Sequence, residues 1–211
     1  MKIALFGSTG QIGRRIARQA IYRGHEVTAV LRAGGAMLDL WDPKLTRAEG
    51  DIFDAASVAR IAKGHDIVAS AYGPPPGSEK DLLNATHALI EGTRTAGVAR
   101  LIMVGGAGSL YVAPGVHLVD SPHLPEAYKP IARAHGEALE ILRKADLDWT
   151  CLSPPAMIAA GEQTGKYRVG GTELLSDANG KSAISSEDYA IAFVDEIEKA
   201  AHKRLQFTVA Y

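Results

Sequence analysis

Short apolar runs alternate along this chain with segments whose apolar positions recur every three or four residues, the pattern of strands alternating with amphipathic helices. Lys2–Phe6 is the first apolar run and reads as a strand. Gln11–Arg23 places Ile12, Ile16, Ala17 and Ala20 on one helical face, and Gly24 ends it. Glu26–Leu31 is a second strand, Leu45–Ile52 a weaker third, and Asp54–Lys63 a short helix closed by Gly64. Asp66–Tyr72 is a fourth strand, and Gly73-Pro74-Pro75-Pro76-Gly77 after it is a loop. Ser78 is placed to cap a helix over Glu79–Ala96, with Gly97 at its end. Arg100–Val104 is a fifth strand, and a loop rich in Gly and Pro follows as far as Pro125. Helical spacing returns over Glu126–Lys144, and Asp148–Ser153 is a sixth strand stopped by Pro154-Pro155.

Beyond Pro155 the rhythm changes. Tyr167–Leu175 reads as short strands, and Ala178-Asn179-Gly180 as a turn. Ser185 with Asp188 resembles a capping box for a helix reaching Lys199. Leu205–Tyr211 alternates as a last strand. Near-continuous apolar strands separated by helices require a parallel sheet covered on both faces. Right-handed crossovers then make it an α/β, Rossmann-like doubly wound sheet, here with a small C-terminal elaboration. Residues 1–211 are expected to form a single domain, since no linker or repeat divides them.

Composition narrows the function. Lys and Arg number 23 and Asp and Glu 24, a net charge of −1, so no electrostatic excess draws the chain to nucleic acid or an anionic membrane. One cysteine, Cys151, excludes an internal disulfide framework and a cysteine-based zinc site. No apolar run approaches the roughly 18 residues of a membrane span. The N-terminal run is too short for a secretory signal, so a cytoplasmic location is expected.

The sharpest motif is Gly7-Ser8-Thr9-Gly10-Gln11-Ile12-Gly13, between the first strand and the first helix. In that context Gly7 permits the turn, Gly10 lets backbone approach a diphosphate, and Gly13 lets the helix pack on the sheet. Free amides and the helix dipole would then hold the anion. The GxxGxxG spacing departs from the common dehydrogenase fingerprint and resembles that of the short-chain dehydrogenase/reductases, implying a bound dinucleotide. The second strand ends Val30-Leu31-Arg32, with no carboxylate for a ribose and an arginine suited to a 2′-phosphate. NADP(H) is therefore expected over NAD(H), with Arg14 a weaker second phosphate candidate. Asp51 and Ile52 close the third strand where adenine would lie. Ala71, Tyr72 and Gly73 end the fourth, beside the phosphate loop. Pro154 and Pro155 present backbone where a nicotinamide amide would sit. Asp51 reads equally well as a turn or helix cap.

Ordinary short-chain dehydrogenases use a Tyr-x-x-x-Lys pair; here Tyr128 is followed four residues on by Ala132. The remaining polar candidates are Ser109 after the fifth strand, and His135, two helical turns beyond Tyr128 on the same face. A histidine there could protonate a reduced acceptor near neutral pH. No metal site is expected: His117, Asp120 and His123 form only a loop coincidence. Cys151, Trp41 and Trp149 read as packing residues.

Several further segments carry a family resemblance: Gly50-Asp51, Pro125-Glu126-Ala127-Tyr128-Lys129-Pro130, Leu147-Asp148-Trp149-Thr150, Ser153-Pro154-Pro155, Gly165-Lys166-Tyr167-Arg168, Ile184-Ser185, Glu187-Asp188-Tyr189-Ala190 and Phe207–Tyr211. With the glycine loop, they resemble the NADH-flavin reductase family of atypical short-chain dehydrogenase/reductases, which are NAD(P)H-binding and NmrA-like. The family is similar to biliverdin reductase B, a small NADPH-dependent flavin and biliverdin reductase, and that likeness places His135 at an active-site histidine. The resemblance implies hydride transfer to a small planar acceptor, with free flavin as substrate and not prosthetic group; a quinone or tetrapyrrole is an alternative. A non-catalytic NADP(H) sensor of the NmrA-like kind is the second reading. A sugar-nucleotide epimerase is disfavoured by the missing Tyr/Lys pair. A monomer or homodimer is expected.

Overall fold

The computed structural model describes residues 1–211. Its strands are β1 Lys2–Phe6, β2 Glu26–Leu31, β3 Leu45–Glu49, β4 Ile67–Ser70, β5 Arg100–Val104, β6 Tyr111–Ala113, β7 Val116–His117, β8 Asp148–Ser153, β9 Met157–Ala159, β10 Arg168–Gly170, β11 Ala183–Ser185 and β12 Leu205–Ala210. Its α-helices are α1 Gly13–Tyr22, α2 Ala55–Ala62, α3 Asp81–Thr95, α4 Lys129–Arg143 and α5 Ser186–Lys199. The main sheet has eight strands in the order β10-β12-β8-β5-β4-β1-β2-β3. All its pairings are parallel except β10 with β12. This is the doubly wound, Rossmann-like α/β sheet expected from the apolar runs.

Alternation along each strand builds two cores. Ile3 and Leu5 of β1 join Ile102 of β5 and Leu152 of β8 in the layer under α1 and α5. Ala4 and Phe6 join Leu101, Met103 and Cys151 in the layer under α2, α3 and α4. Successive side chains of a strand point to opposite faces, so strands with helices on both sides must be apolar throughout. Fully burying each Leu, Ile or Phe contributes about 1.5–3 kcal/mol.

Several local expectations are corrected. Ser78 is not a side-chain cap: α3 starts after Lys80, and the Ser78 carbonyl accepts from the Asp81 amide. Successive turns leading into the helix supply the acceptors a cap would have provided. Asp54 does cap α2, accepting from the Ala56 amide. The third strand stops at Glu49, and the helix over Glu126–Lys144 begins as a 3-10 turn at Glu126–Tyr128, with Pro130 in the first turn of α4. The Gly105–Pro125 loop contains the β6–β7 hairpin, whose turn has Gly115 at φ 74°. The β9–β11 pairing had no signal in the pattern, because each strand is three residues long. Ser185 caps α5 as expected, accepting from the Asp188 amide.

Candidate cofactor and acceptor site

In sheet order, the C-terminal ends of β2, β1, β4, β5 and β8 lead into Arg32, Gly7, Ala71, Gly105 and Pro154. Ligands of open parallel sheets bind outside these ends, where the direction of winding reverses. Here that point lies between β1 and β4.

The three glycines of the first loop answer to different demands. Gly7 has φ 72°, and a Cβ there would lie 2.6 Å from the Ala71 carbonyl carbon and the Tyr72 nitrogen. A Cβ on Gly13 would fall 2.1 Å from the Gly7 oxygen. Gly10 is exposed, and a Cβ there would meet only the Gly7 oxygen at 3.4 Å. The fold thus requires glycine at 7 and 13, whereas at 10 it only leaves the crevice open. The amides of Thr9, Gln11, Ile12 and Gly13 have no acceptor within the chain. Unpaired donors at the start of α1, with no side chain in front of them, form a cradle that fits a diphosphate.

The loop's side chains are mostly committed elsewhere. The Ser8 hydroxyl is fully buried and donates to the Val30 carbonyl at 3.3 Å, so only the Ser8 backbone is available. The Gln11 amide donates to the Ser186 hydroxyl at 3.0 Å. Ile12 packs against the α1–α5 core. Arg14 Nε donates to the Gly10 carbonyl at 3.2 Å. Arg32, by contrast, is exposed, and its side chain makes no hydrogen bond or ion pair within the chain. Its charge is felt by Tyr72: burial and Asp81 push that phenol up, and Arg32 pulls against them.

Residues 7–200 match the NAD(P)H-binding family. The chain belongs to that family. It is 40% identical to YwnB of Bacillus subtilis, an uncharacterized protein, over 99% of this chain and 98% of that one. Among solved structures it is 48% identical to a Burkholderia pseudomallei protein named as a candidate exported protein, with a TM-score of 0.91 and full coverage of both chains. It is 34% identical to a Streptococcus pneumoniae protein named as a candidate NADH-flavin reductase, with a TM-score of 0.89, over 100% of this chain and 99% of that one. The protein is therefore an NAD(P)H-binding chain with a Rossmann-like fold. No helix is long and apolar enough to cross a membrane.

Asp51 makes a turn contact, its carboxylate accepting from the Phe53 amide at 2.8 Å, and is otherwise exposed. Ile52 packs on the α2–α4 core. Phe53 meets Tyr72 edge to face at 5.7 Å, an aromatic corner beside the loop that the sequence reading did not include. Pro154 and Pro155 are buried, and their carbonyls accept no hydrogen bond within the chain.

The three candidate catalytic residues separate. Tyr128 is 61% exposed at the head of α4, and its hydroxyl bonds to nothing in the chain. Ser109 is held: its hydroxyl faces the Gly106 carbonyl at 3.4 Å and accepts from the Gln206 amide at 2.7 Å. Gln206 also donates to Ser153 at 2.9 Å, so one amide ties Ser109 to the end of β8. That role is invisible in the sequence, where Gln206 stands 97 residues from Ser109. His135 lies against Gly106 at the end of β5, so close that a Cβ on Gly106 would sit 2.6 Å from the His135 Cβ. Its ring nitrogens make no hydrogen bond within the chain, and burial lowers its pKa to about 4. His135 is therefore neutral near pH 7 and offers one N–H donor and one acceptor.

His117, unlike His135, is committed within the chain. Its ring stacks on Tyr111 at 4.3 Å, and Nδ1 lies 2.8 Å from the Ser109 carbonyl. No three His, Cys, Asp or Glu side chains gather where they could hold a metal. A groove of 560 Å³ runs along the Arg133 and Glu137 face of α4. That face lies about half a turn from His135. Its arginines are matched by carboxylates, Arg133 with Asp120 at 3.9 Å and Arg143 with Glu140 at 3.3 Å, so it offers no net positive field for a phosphate.

Proposed function

We propose that this protein is an NADPH-dependent reductase that passes a hydride to a planar acceptor, free flavin first, with a quinone or tetrapyrrole as the other acceptor classes. The observation that carries the reading is the continuous C-terminal edge of the sheet. It offers unpaired loop amides at one point and an unengaged, neutral His135 farther along. Thr9, Gln11, Ile12 and Gly13 would bind the diphosphate through backbone, and Arg32 the 2′-phosphate that separates NADP(H) from NAD(H). Pro154 and Pro155 would meet the nicotinamide amide with free carbonyls. Bound NADPH supplies the hydride. The chain positions the acceptor against it and excludes water.

Nothing in the chain resembles an activated tyrosine: Ala132, buried, stands where the lysine would be needed. Hydride transfer to a conjugated acceptor tolerates this, because the acceptor spreads the added charge itself. His135 then donates an N–H hydrogen bond to the acceptor as that charge grows. This reading places the protein in the cytoplasm, acting without nucleic acid or membrane, as a single domain in a monomer or homodimer.

A second reading, an NADP(H) sensor without turnover, is favoured by the sparse set of free side chains: Ser109 is tied and Tyr128 points to no partner. One assay separates the two. Oxidation of NADPH and of NADH is followed with FMN, FAD, riboflavin, quinones and biliverdin in turn. Acceptor-dependent turnover above background supports the reductase. Tight dinucleotide binding with no turnover across the panel replaces it with the sensor.

A further inference from the structure

The motif Ser185-Ser186-Glu187-Asp188-Tyr189 takes no part in the proposed chemistry; Ser185 caps its own helix, and the other four side chains reach segments outside α5. Ser186 Oγ accepts from the Gln11 side chain of the phosphate loop. Tyr189, fully buried, donates to the Leu152 carbonyl just before Ser153-Pro154-Pro155. Asp188, also fully buried, accepts from the Thr164 amide and hydroxyl, the Gly165 amide and the Tyr211 hydroxyl. Glu187 accepts from the Gly161 amide at 2.9 Å with one oxygen and from Arg15 Nε at 2.6 Å with the other.

Two features single out Glu187. The strap 160–166 is exposed, has no regular structure, and makes no backbone–backbone hydrogen bond. Its amides are tied only by carboxylates of α5 and by the Thr164 hydroxyl. Asp188 anchors it to a buried, immobile point. The partner of Glu187 is different: Arg15 Nη1 donates to the Gln11 carbonyl at 2.7 Å, inside the phosphate loop. A continuous path therefore runs from the Gln11 carbonyl through Arg15 and Glu187 to the Gly161 amide. Burial disfavours the Glu187 charge, but Arg15 and the Gly161 amide outweigh it and hold the carboxyl below its usual range, so the link is ionic at neutral pH.

We infer that Glu187 is a positioning residue that sets the strap following Pro154-Pro155 according to the occupancy of the phosphate loop. A diphosphate on the Gln11 and Ile12 amides holds the loop in one conformation. The Gln11 carbonyl then holds Arg15, Arg15 holds Glu187, and Glu187 holds Gly161 in the strap that follows Pro154-Pro155. Dinucleotide binding is thereby transmitted to the acceptor side through three charge-assisted hydrogen bonds, the stronger kind. The inference rests on the dinucleotide-binding reading of the loop.

The test is amide hydrogen exchange of residues 160–166, with and without saturating NADPH, in the intact wild-type protein and in Glu187→Gln. The glutamine keeps an acceptor for Gly161 but removes the charge that binds Arg15. In wild type, NADPH should slow exchange in the strap by roughly tenfold. In Glu187→Gln that protection should vanish, with exchange within α5 unchanged and a loss of thermal stability that is the same with and without NADPH. With a flavin acceptor the variant should raise the acceptor KM more than it lowers kcat. NADPH binding with equal strap protection in both proteins overturns the coupling alone. Absence of binding by either NADPH or NADH overturns the dinucleotide reading and the coupling with it, and the titration itself shows which has failed.

Discussion

The two ends of the parallel sheet use the same residue types in opposite ways. At the N-terminal end of β5, Arg100 is buried and donates to both the carbonyl and the carboxylate of Glu196, at 2.8 and 2.7 Å. The same carboxylate meets His202 Nδ1 at 2.7 Å, and the His202 ring stacks on Phe207 at 3.9 Å. Only Arg100 Nε lacks a partner there. At the C-terminal end, the side chains of Arg32 and His135 and four loop amides make no hydrogen bond within the chain. A buried polar group must be matched within the fold or left costly, whereas a group at a crevice can be left for a ligand to match. An arginine and a histidine therefore hold the sheet together at one end and stand open at the other.

The comparison breaks most sharply at Glu196. Glu196→Ala leaves Arg100 buried without its anion and should cost about 3–5 kcal/mol in denaturant unfolding, with dinucleotide affinity intact wherever the protein is folded. Losing stability at that end by less than about 1 kcal/mol would place the pair among the weak exposed ones.

Next come the glycines. Gly13→Ala forces a Cβ onto the Gly7 oxygen and should destabilise the fold by roughly 1–3 kcal/mol. Gly10→Ala should leave the melting temperature in place and weaken NADPH binding by about tenfold or more, read by fluorescence titration. Equal stability losses at the two positions would show that Gly10, too, serves the fold.

Arg32→Glu removes a cation from the open end and sets a carboxylate facing the 2′-phosphate. The NADPH dissociation constant should rise by roughly ten- to a hundredfold relative to that of NADH, as expected for a lost charge-assisted hydrogen bond. An unchanged ratio of the two constants would remove Arg32 from the site.

The smallest effects belong to His135. His135→Ala should lower kcat by about tenfold while the NADPH constant stays within a factor of two. Its pKa is lowered on folding, from an ordinary 6.5 to about 4, so the unfolded chain binds the extra proton between those values. Stability is therefore full above pH 6.5 and falls as pH drops toward 4, and His135→Gln should flatten that slope in urea titrations. Over pH 6–8 the free protein should show no step from this imidazole in kcat/KM.

Much of the fold was readable from local pattern. β5 and β8 match their apolar runs residue for residue, because strands buried on both faces show unbroken hydrophobicity. The Ser185 cap was equally plain, since the cap and the amide it binds lie three residues apart; the cap of α2 is Asp54, where the pattern had offered Asp51. The Ser78 cap failed because backbone carbonyls of the turns entering the helix, that of Ser78 itself among them, accept from the first helical amides. The short strands β9 and β11 escaped because three residues carry no period.

The sequence by itself determined the glycine loop, the winding of the sheet and the absence of the Tyr/Lys pair, all set by residue type and near-neighbour spacing. The tertiary structure alone decided which polar groups are spent. Ser109 is tied by Gln206, 97 residues away, and Arg15 by Glu187, 172 residues away. A hydrogen bond requires two groups within about 3 Å, and chain spacing is silent on which distant groups meet. His135 illustrates the same reason: its type announced a proton donor, but desolvation against Gly106, which only packing creates, keeps it neutral.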